Sequence, residues 1–208
     1  MSGDARAVSG DAVVRVVLAT HNPHKVTELR RILGSALDGI ELVGYDGPEP
    51  VEDGDTFEAN ALIKARAAAL HTGLPAIADD SGISVDTLGG APGIHSARYA
   101  GGRDDAANLA LLVERMRGAG NRAAQFTCAA ALVDGRFEHV EVGIWPGSVL
   151  AEPAGAGGFG YDPIFRPDGF AVSAAELTAA EKNAVSHRAI AFGRLVDVIR
   201  TRQAPTSR

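Results

Sequence analysis

The feature that most constrains the fold of this chain is a short apolar run that leads into two adjacent carboxylates. Leu74 to Ala78 has the character of a buried β-strand, and Asp79-Asp80-Ser81-Gly82 follows it directly. Core packing explains these acids poorly, because burying an unpaired charge costs several kcal/mol. A hydrated metal ion, or a water to be deprotonated, explains them better. We therefore predict that the strand ends at the acid pair, before Gly82, and that the acids lie at a functional site.

Composition narrows the possible classes of protein. The 208 residues are 46% apolar and 22% charged, which is typical of a globular protein with one domain or two packed lobes. A net charge of −6 argues against a nucleic-acid-binding face but is compatible with a small phosphorylated substrate. No apolar run approaches the roughly 18 residues of a membrane span. We expect a leader at 1–12, one domain at 13–202 and a tail at 203–208.

The cysteine content points to the cellular setting. Cys128 is the only cysteine, so an internal disulfide and a thiolate metal cluster are both excluded. It stands in an apolar run and is interpreted as a core residue rather than as a nucleophile. A single cysteine without an internal disulfide favours a reducing, cytoplasmic setting.

Helices and strands alternate in the first part of the sequence, and a hairpin follows. Helix starts are predicted at Asn22-Pro23, at Asp55 with Glu58 closing a capping box, and at Asp104-Asp105. Asp134-Gly135 is a strong hairpin turn signal. The predicted strands are 13–19, 40–43, 74–78, 83–85, 123–133, 137–145 and 161–165, with a loop at 88–103. This order predicts an α/β fold with a mixed sheet.

The turn after the first strand is a candidate anion site. A strand, a polar turn and a helix N-terminus leave free N–H groups, to which Thr20, Asn22 and Lys25 add a hydroxyl, an amide and a charge. An ordinary N-cap beside a solvated lysine accounts for the same residues equally well.

An acidic set is a candidate magnesium site. Mg²⁺ is usually held by one or two carboxylates together with phosphates and waters, so Glu52 with Asp80 would suffice. The alternative for Glu52 and its neighbour Asp53 is a solvated loop. Asp79 has a structural alternative, in which it pairs with a basic partner. Lys64 contributes only if its helix faces the same cleft.

Two segments near the end of the chain could bind a flat ligand. Glycines around Phe159 would let the backbone approach a flat ligand while the phenyl ring stacks on it, and Asp162 could accept hydrogen bonds from N–H groups of the ligand ring. The alternative is a tight loop with a core aromatic side chain. Lys182, His187 and Arg188 would not converge on one continuous helix, so we predict a break at Ser186.

Taken in order, these segments resemble the inosine/xanthosine triphosphate pyrophosphatases, which hydrolyse non-standard purine nucleoside triphosphates. The matching segments span almost the whole chain and are 18–22 with Lys25, 56–61 with Lys64, 78–82, 89–99, 157–165, 175–178 and 181–188. The resemblance implies an elongated, curved mixed β-sheet with flanking helices, two lobes around a cleft, a homodimer and Mg²⁺. Asp80 would accept the proton from water and approach the metal with Glu52.

The resemblance also assigns the substrate contacts. The triphosphate would lie against Thr20, His21, Asn22, Pro23, His24, Lys25 and Lys64. The nucleoside would lie against Ser81, Phe159, Gly160, Tyr161, Asp162, Lys182, His187 and Arg188. His21, His24 and His95 depart from the family pattern.

Two other functions deserve a test. A non-catalytic nucleotide sensor would need no acid pair, and a pyrophosphatase for modified pyrimidine nucleotides would differ in base preference. A Nudix hydrolase is disfavoured, because the glutamate-rich helix of that class is missing.

Overall fold

A computed structural model describes residues 13–21 and 23–203, so Asn22, the leader and the end of the tail lie outside the described residues. The strands are β1 Val14–Leu18, β2 Ile40–Gly44, β3 Ala76–Val85, β4 Ala123–Asp134, β5 Phe137–Val149 and β6 Phe165–Pro167. The helices are α1 Pro23–Leu33, α2 Phe57–Thr72, α3 Asp105–Arg115, α4 Ala179–Val185 and α5 His187–Gln203. No described helix is long and apolar enough to cross a membrane.

The strands form one mixed sheet in the order β2-β1-β3-β4-β5-β6. β2, β1 and β3 are parallel, and β3 to β6 run antiparallel. The parallel part arises from helical crossovers and the β4–β5 pair from the hairpin at Asp134, as the order of elements predicted. The prediction of an α/β fold with a mixed sheet and flanking helices is confirmed.

Three apolar clusters among the described residues stabilise this sheet. One lies between the sheet and helices α1 and α5, around Leu29, Ile77 and Phe192. A second, rich in alanine, lies under α2. The third joins α3 to the C-terminal ends of β3 and β5 and the N-terminal end of β4, and it includes Trp145 and Phe165.

The prediction that the central strand ends at the acid pair is wrong. β3 continues through Asp79, Asp80, Ser81 and Gly82 to Val85, and every residue of it pairs with β4. The acids remain inside the strand because each has a cationic partner. Gly82 does not end the strand; a Cβ there would collide with the Gly93 carbonyl and with Ser96.

Three smaller expectations also change. The N-cap of α2 is Thr56 rather than Asp55; its hydroxyl accepts a 3.1 Å hydrogen bond from the Ala59 N–H, so Glu58 lies one position too early for a capping box. The predicted strand 161–165 is a 3₁₀ turn, Asp162–Ile164, because Pro163 cannot donate to a ladder, and strand pairing starts at Phe165. The glycine-rich 88–103 loop contains a further 3₁₀ segment, Gly93–Arg98.

The predicted helix break at Ser186 is confirmed. α4 ends at Val185 and α5 begins at His187, with Ser186 extended between them. The Ser186 hydroxyl accepts a hydrogen bond of 3.2 Å from the Ala189 N–H and so caps the new helix. His187 and Arg188 therefore lie in the first turn of α5.

Candidate active site

A cavity of about 450 Å³ lies over the middle of β3 and gathers residues from both ends of the chain. Most of the predicted site residues line it, namely Thr20, His21, Lys25, Glu52, Lys64, Asp80, Ser81, Phe159, Gly160, Tyr161, Asp162, Lys182, His187 and Arg188. Asn22 lies outside the described residues, and the side chains of Pro23 and His24 are likewise not described. Lys64 does face the cleft, as its proposed role requires.

Asp79 lies at the centre of a buried ion network on one side of β3. Its Oδ2 accepts hydrogen bonds from Lys25 at 3.0 Å, from the Arg188 Nε at 3.3 Å and from the Ser81 hydroxyl at 3.3 Å. Burial alone would raise the pKa of Asp79, but Lys25 and Arg188 outweigh it and hold that pKa well below its usual range. The basic partner expected for a structural Asp79 is present.

Asp80 lies on the opposite side of β3 and has different partners. Its Oδ1 accepts a hydrogen bond from the Lys64 ammonium at 3.2 Å, and its Oδ2 accepts one from the Asn60 amide at 3.2 Å. Burial raises the pKa of Asp80; the charge of Lys64 offsets part of the shift, and Glu52 adds to it. The pKa of Lys64 is raised, because the attraction of these acids exceeds the effect of burial, so Lys64 is cationic.

Glu52 and Asp80 provide the oxygen donors that Mg²⁺ prefers. Both contact the Lys64 ammonium at 3.2 Å, so a cation already lies beside each carboxylate. Within 13–21 and 23–203, no cluster of three or more His, Cys, Asp or Glu side chains could hold a metal by itself. The two carboxylates therefore fit Mg²⁺ only as a partial ligand set, which phosphate oxygens and waters would complete.

The turn after β1 is anchored by its histidine. His21 Nε2 is 3.0 Å from the Gly47 carbonyl oxygen, and the ring lies 5.4 Å from that of Tyr45. Tyr45 in turn donates to the Pro48 carbonyl at 2.9 Å. His21 thus ties the predicted phosphate turn to the segment after β2, which gives this departure from the family pattern a structural role.

The other end of the cavity is aromatic and cationic. The Lys182 ammonium lies 5.1 Å from the centroid of the Phe159 ring, and the Arg188 guanidinium carbon lies 5.5 Å from it. Asp162 Oδ2 accepts hydrogen bonds from Lys182 at 2.7 Å and from the Phe159 N–H at 2.9 Å. Asp162 thereby shapes the loop that presents Phe159, and Tyr161 anchors that loop by donating to the Ser96 carbonyl at 2.8 Å.

His187 forms the floor of this end. Its ring stacks on Phe126, with centroids 4.8 Å apart and planes 8° from parallel. Burial and then the charge of Arg188 lower its pKa well below the ordinary value, so the ring is neutral. In the part of the chain that the structure describes, its Nδ1 is the one buried side-chain polar atom without a hydrogen-bond partner. A buried polar atom of this kind is suited to a ligand.

Three residues that hydrogen-bond the predicted site residues were not themselves given a role in the sequence analysis. Glu28 on α1 pairs with Arg188 at 2.6 Å and with Lys182 at 3.5 Å. Asn60 holds Asp80, and Asp105 accepts a 3.1 Å hydrogen bond from the N–H of Gly160. The spacing of Glu28, one helical turn after Lys25, was the available signal for the first. Asn60 lies in the 56–61 segment that matches the family but was given no role, and Asp105 was considered only as part of a helix start.

Comparison with known proteins now decides the family. The model of the Ham1 family matches residues 16–198, which is nearly all of the described chain. The chain belongs to the Ham1 family. A Ham1 protein from Coxiella burnetii has a solved structure that is 40% identical, with a TM-score of 0.83 over 90% of this chain and 99% of that chain.

Other relatives carry an activity in their names. A dITP/XTP pyrophosphatase from Leifsonia xyli subsp. xyli is 58% identical over 93% of this chain and 99% of that protein. The crystal structure of a nucleoside-triphosphatase / dITP/XTP pyrophosphatase from Mycobacterium abscessus is 47% identical, with a TM-score of 0.72, and covers 89% of this chain and 100% of that chain. The resemblance inferred from the motifs is confirmed at the level of the family.

Proposed function

We propose that this chain hydrolyses non-standard purine nucleoside triphosphates, namely ITP, dITP and XTP, to the monophosphate and pyrophosphate. The observation that carries the proposal is its 58% identity, over almost the full length of both chains, to a protein named dITP/XTP pyrophosphatase. The cavity supports it, because the turn after β1 and an aromatic, cationic end line the same cavity as Asp80 and Glu52. Removal of deaminated purines from the nucleotide pool would be its biological role.

The proposed reaction begins with a water held beside Asp80. Asp80 accepts a proton from this water as its oxygen bonds to the α-phosphorus, and the bond from that phosphorus to the bridging oxygen of the β-phosphate breaks. Pyrophosphate leaves with the electron pair of that bond. Asp80 is a weak base, so its contribution depends on its position between Asn60 and Lys64.

The charges of the cavity support a magnesium requirement. Of the described residues that line it, five are lysines or arginines and six are carboxylates: Lys25, Lys64, Arg103, Lys182 and Arg188 against Glu49, Glu52, Asp79, Asp80, Asp105 and Asp162. A triphosphate therefore enters a cavity without surplus positive charge. Mg²⁺ held by Glu52, Asp80 and the phosphates would offset the charge of the substrate and acidify the attacking water.

Base selection would occur at the aromatic end. Hypoxanthine and xanthine present a carbonyl and an N1–H where adenine presents an amino group and a bare N1. Lys182 and Arg188 could donate to the carbonyl, the neutral His187 offers an unpaired Nδ1, and Phe159 offers a stacking face. Sites that hydrogen-bond one such pattern can reject the other by about 10⁴-fold or more, since they leave buried groups unpaired.

A substrate panel tests the proposal. Pyrophosphate release should be measured for ITP, dITP, XTP, GTP, ATP and a modified pyrimidine triphosphate at equal Mg²⁺ concentration. We expect rapid release from the first three and slow release from ATP and from the pyrimidine. GTP shares the carbonyl and the N1–H of hypoxanthine, so its rate measures selection by contacts other than these two groups. Binding without release would favour the nucleotide sensor, and faster release from the pyrimidine would favour the other enzyme.

The oligomeric state and the cellular compartment follow from the same family resemblance and from the cysteine content. We propose a homodimer and a cytoplasmic setting, on the basis of the family resemblance and of the single, buried Cys128. Light scattering after size exclusion should give twice the chain mass, and a monomer at micromolar concentration would contradict the dimer.

A further inference from the structure

The side chain of Asn60 joins the Asp80 carboxylate to the backbone of the acidic loop that carries Glu52. It is 3% exposed and lies in the first turn of α2, facing β3. Its Nδ2 donates to Asp80 Oδ2 at 3.2 Å, and its Oδ1 accepts from the Gly54 N–H at 2.9 Å. A Cβ on Gly54 would collide with that Oδ1, so the acidic loop lies directly against Asn60.

Lys64 completes the arrangement from the next turn of the same helix. Its ammonium donates to the other oxygen of Asp80 and to Glu52, at 3.2 Å in both cases. Residues four apart share one face of a helix, so α2 presents an amide and an ammonium side by side. Together they contact both oxygens of Asp80 and both ends of the segment from Glu52 to Gly54.

The orientation of the Asn60 amide follows from its partners. An N–H of the backbone can only donate, so Oδ1 must face Gly54 and Nδ2 must face Asp80. Aspartate at this position could accept from Gly54 but would face Asp80 with a second carboxylate oxygen. Only an amide satisfies both contacts.

We propose that Asn60 is a positioning residue, which orients the Asp80 carboxylate and holds the Glu52 loop at a constant distance from it. The inference rests on the proposed function, since Asp80 and Glu52 are the base and the metal-binding pair of that function. Asn60 touches neither the substrate nor the metal in this role. Groups that orient metal-binding carboxylates typically change metal affinity or activity by about 10–100-fold when they are removed.

The chain contains a matched control. Asn108 is 1% exposed and occupies in α3 the position that Asn60 occupies in α2, the fourth residue of the helix. Its Oδ1 also accepts from the N–H of a preceding loop residue, Ala100, at 2.7 Å. Its Nδ2, however, donates to backbone carbonyls and to no carboxylate. Asn60 and Asn108 thus share burial and loop anchoring and differ in the contact under test.

The experiment compares N60A, N60D and N108A with the parent chain. For each folded protein, kcat and KM for ITP are measured with Mg²⁺, and Mn²⁺ binding without nucleotide is measured by electron paramagnetic resonance. We expect N60A to lose about 10–100-fold in kcat and to bind Mn²⁺ about 10-fold more weakly, with little change in KM. N60D retains the shape and the contact with Gly54, so it should fold and still lose kcat by a similar factor.

N108A should lose about as much thermal stability as N60A but should retain the kcat and the Mn²⁺ affinity of the parent chain. The proposal is overturned if N60A and N60D both retain kcat and Mn²⁺ affinity, or if N108A loses as much as N60A. Failure of the parent chain to hydrolyse ITP would instead refute the proposed function. The Mn²⁺ comparison would still test Asn60 in that case.

Discussion

Replacement of Asp79 by asparagine should destabilise the protein strongly. Asp79 is 4% exposed and accepts hydrogen bonds from Lys25, Arg188 and Ser81. An asparagine side chain at this position would retain the shape but not the charge. Arg188, whose side chain is 3% exposed, would then have Glu28 as its remaining carboxylate partner. Removal of one partner of a buried ion pair costs about 3–5 kcal/mol, because it leaves an uncompensated buried charge.

We expect a loss near the lower limit of that range, about 3 kcal/mol at pH 7, because Glu28 still compensates Arg188. For a chain of this size, each kcal/mol lowers Tm by about 2–4 °C, so Tm should fall by about 6–12 °C. The pKa of Asp79 is lower in the folded protein than in the unfolded chain. Its contribution is therefore complete above the unfolded pKa of about 3.9 and declines by about 1.4 kcal/mol for each pH unit below it.

Thermal and urea unfolding followed by circular dichroism at pH 7 and pH 3 provide the assay. The control is E138Q, which breaks a bidentate pair with Arg66 whose side chains are 38% and 52% exposed. Such exposed pairs contribute little, so E138Q should change Tm by at most a few degrees. Equal stability of D79N and the parent chain at pH 7, or a gap that does not narrow at pH 3, would refute the reasoning.

Three further predictions concern the cavity. D80N should lower kcat by about 10²–10⁴-fold while ITP still raises the Tm, and near-normal pyrophosphate release would contradict the proposed role of Asp80. F159A should raise KM for ITP by about 5- to 150-fold, the equivalent of one lost stacking contact of 1–3 kcal/mol, and an unchanged KM would exclude stacking. E52Q should lower the pKa of Asp80, because it removes a neighbouring negative charge. A carboxyl NMR titration of the metal-free protein measures this pKa, and a higher pKa in E52Q than in the parent chain would contradict the prediction.

Local chemistry explains which parts of the fold could be predicted from the sequence. The break before α5 depends on one serine hydroxyl and the N–H three residues later, so the sequence around Ser186 contains the whole signal. The hairpin likewise depends on the turn residues Asp134 and Gly135. The Pro23 start of α1 follows from its missing N–H.

Long-range contacts explain what could not be predicted. The carboxylates of β3 stay within the strand because their partners come from distant parts of the chain. Lys25 is 54 positions from Asp79, and Arg188 is 109 positions from it. Glu28 and Arg188 are 160 positions apart. Periodicity in a short window indicates that a segment is buried but does not indicate which charge compensates an acid inside it.

The continuation of β3 also explains why two adjacent acids have different surroundings. Side chains alternate between the faces of a strand, so Asp79 shares the face of Ile77, which packs under α1 and α5, and Asp80 shares the face of Ala78, which packs under α2. Asp79 therefore meets Lys25 and Arg188, whereas Asp80 meets Asn60 and Lys64. If the strand ended at Ala78, the two carboxylates could turn toward one site and act as a pair. Because the strand continues, loss of the first charge should act mainly on folding stability and loss of the second mainly on turnover.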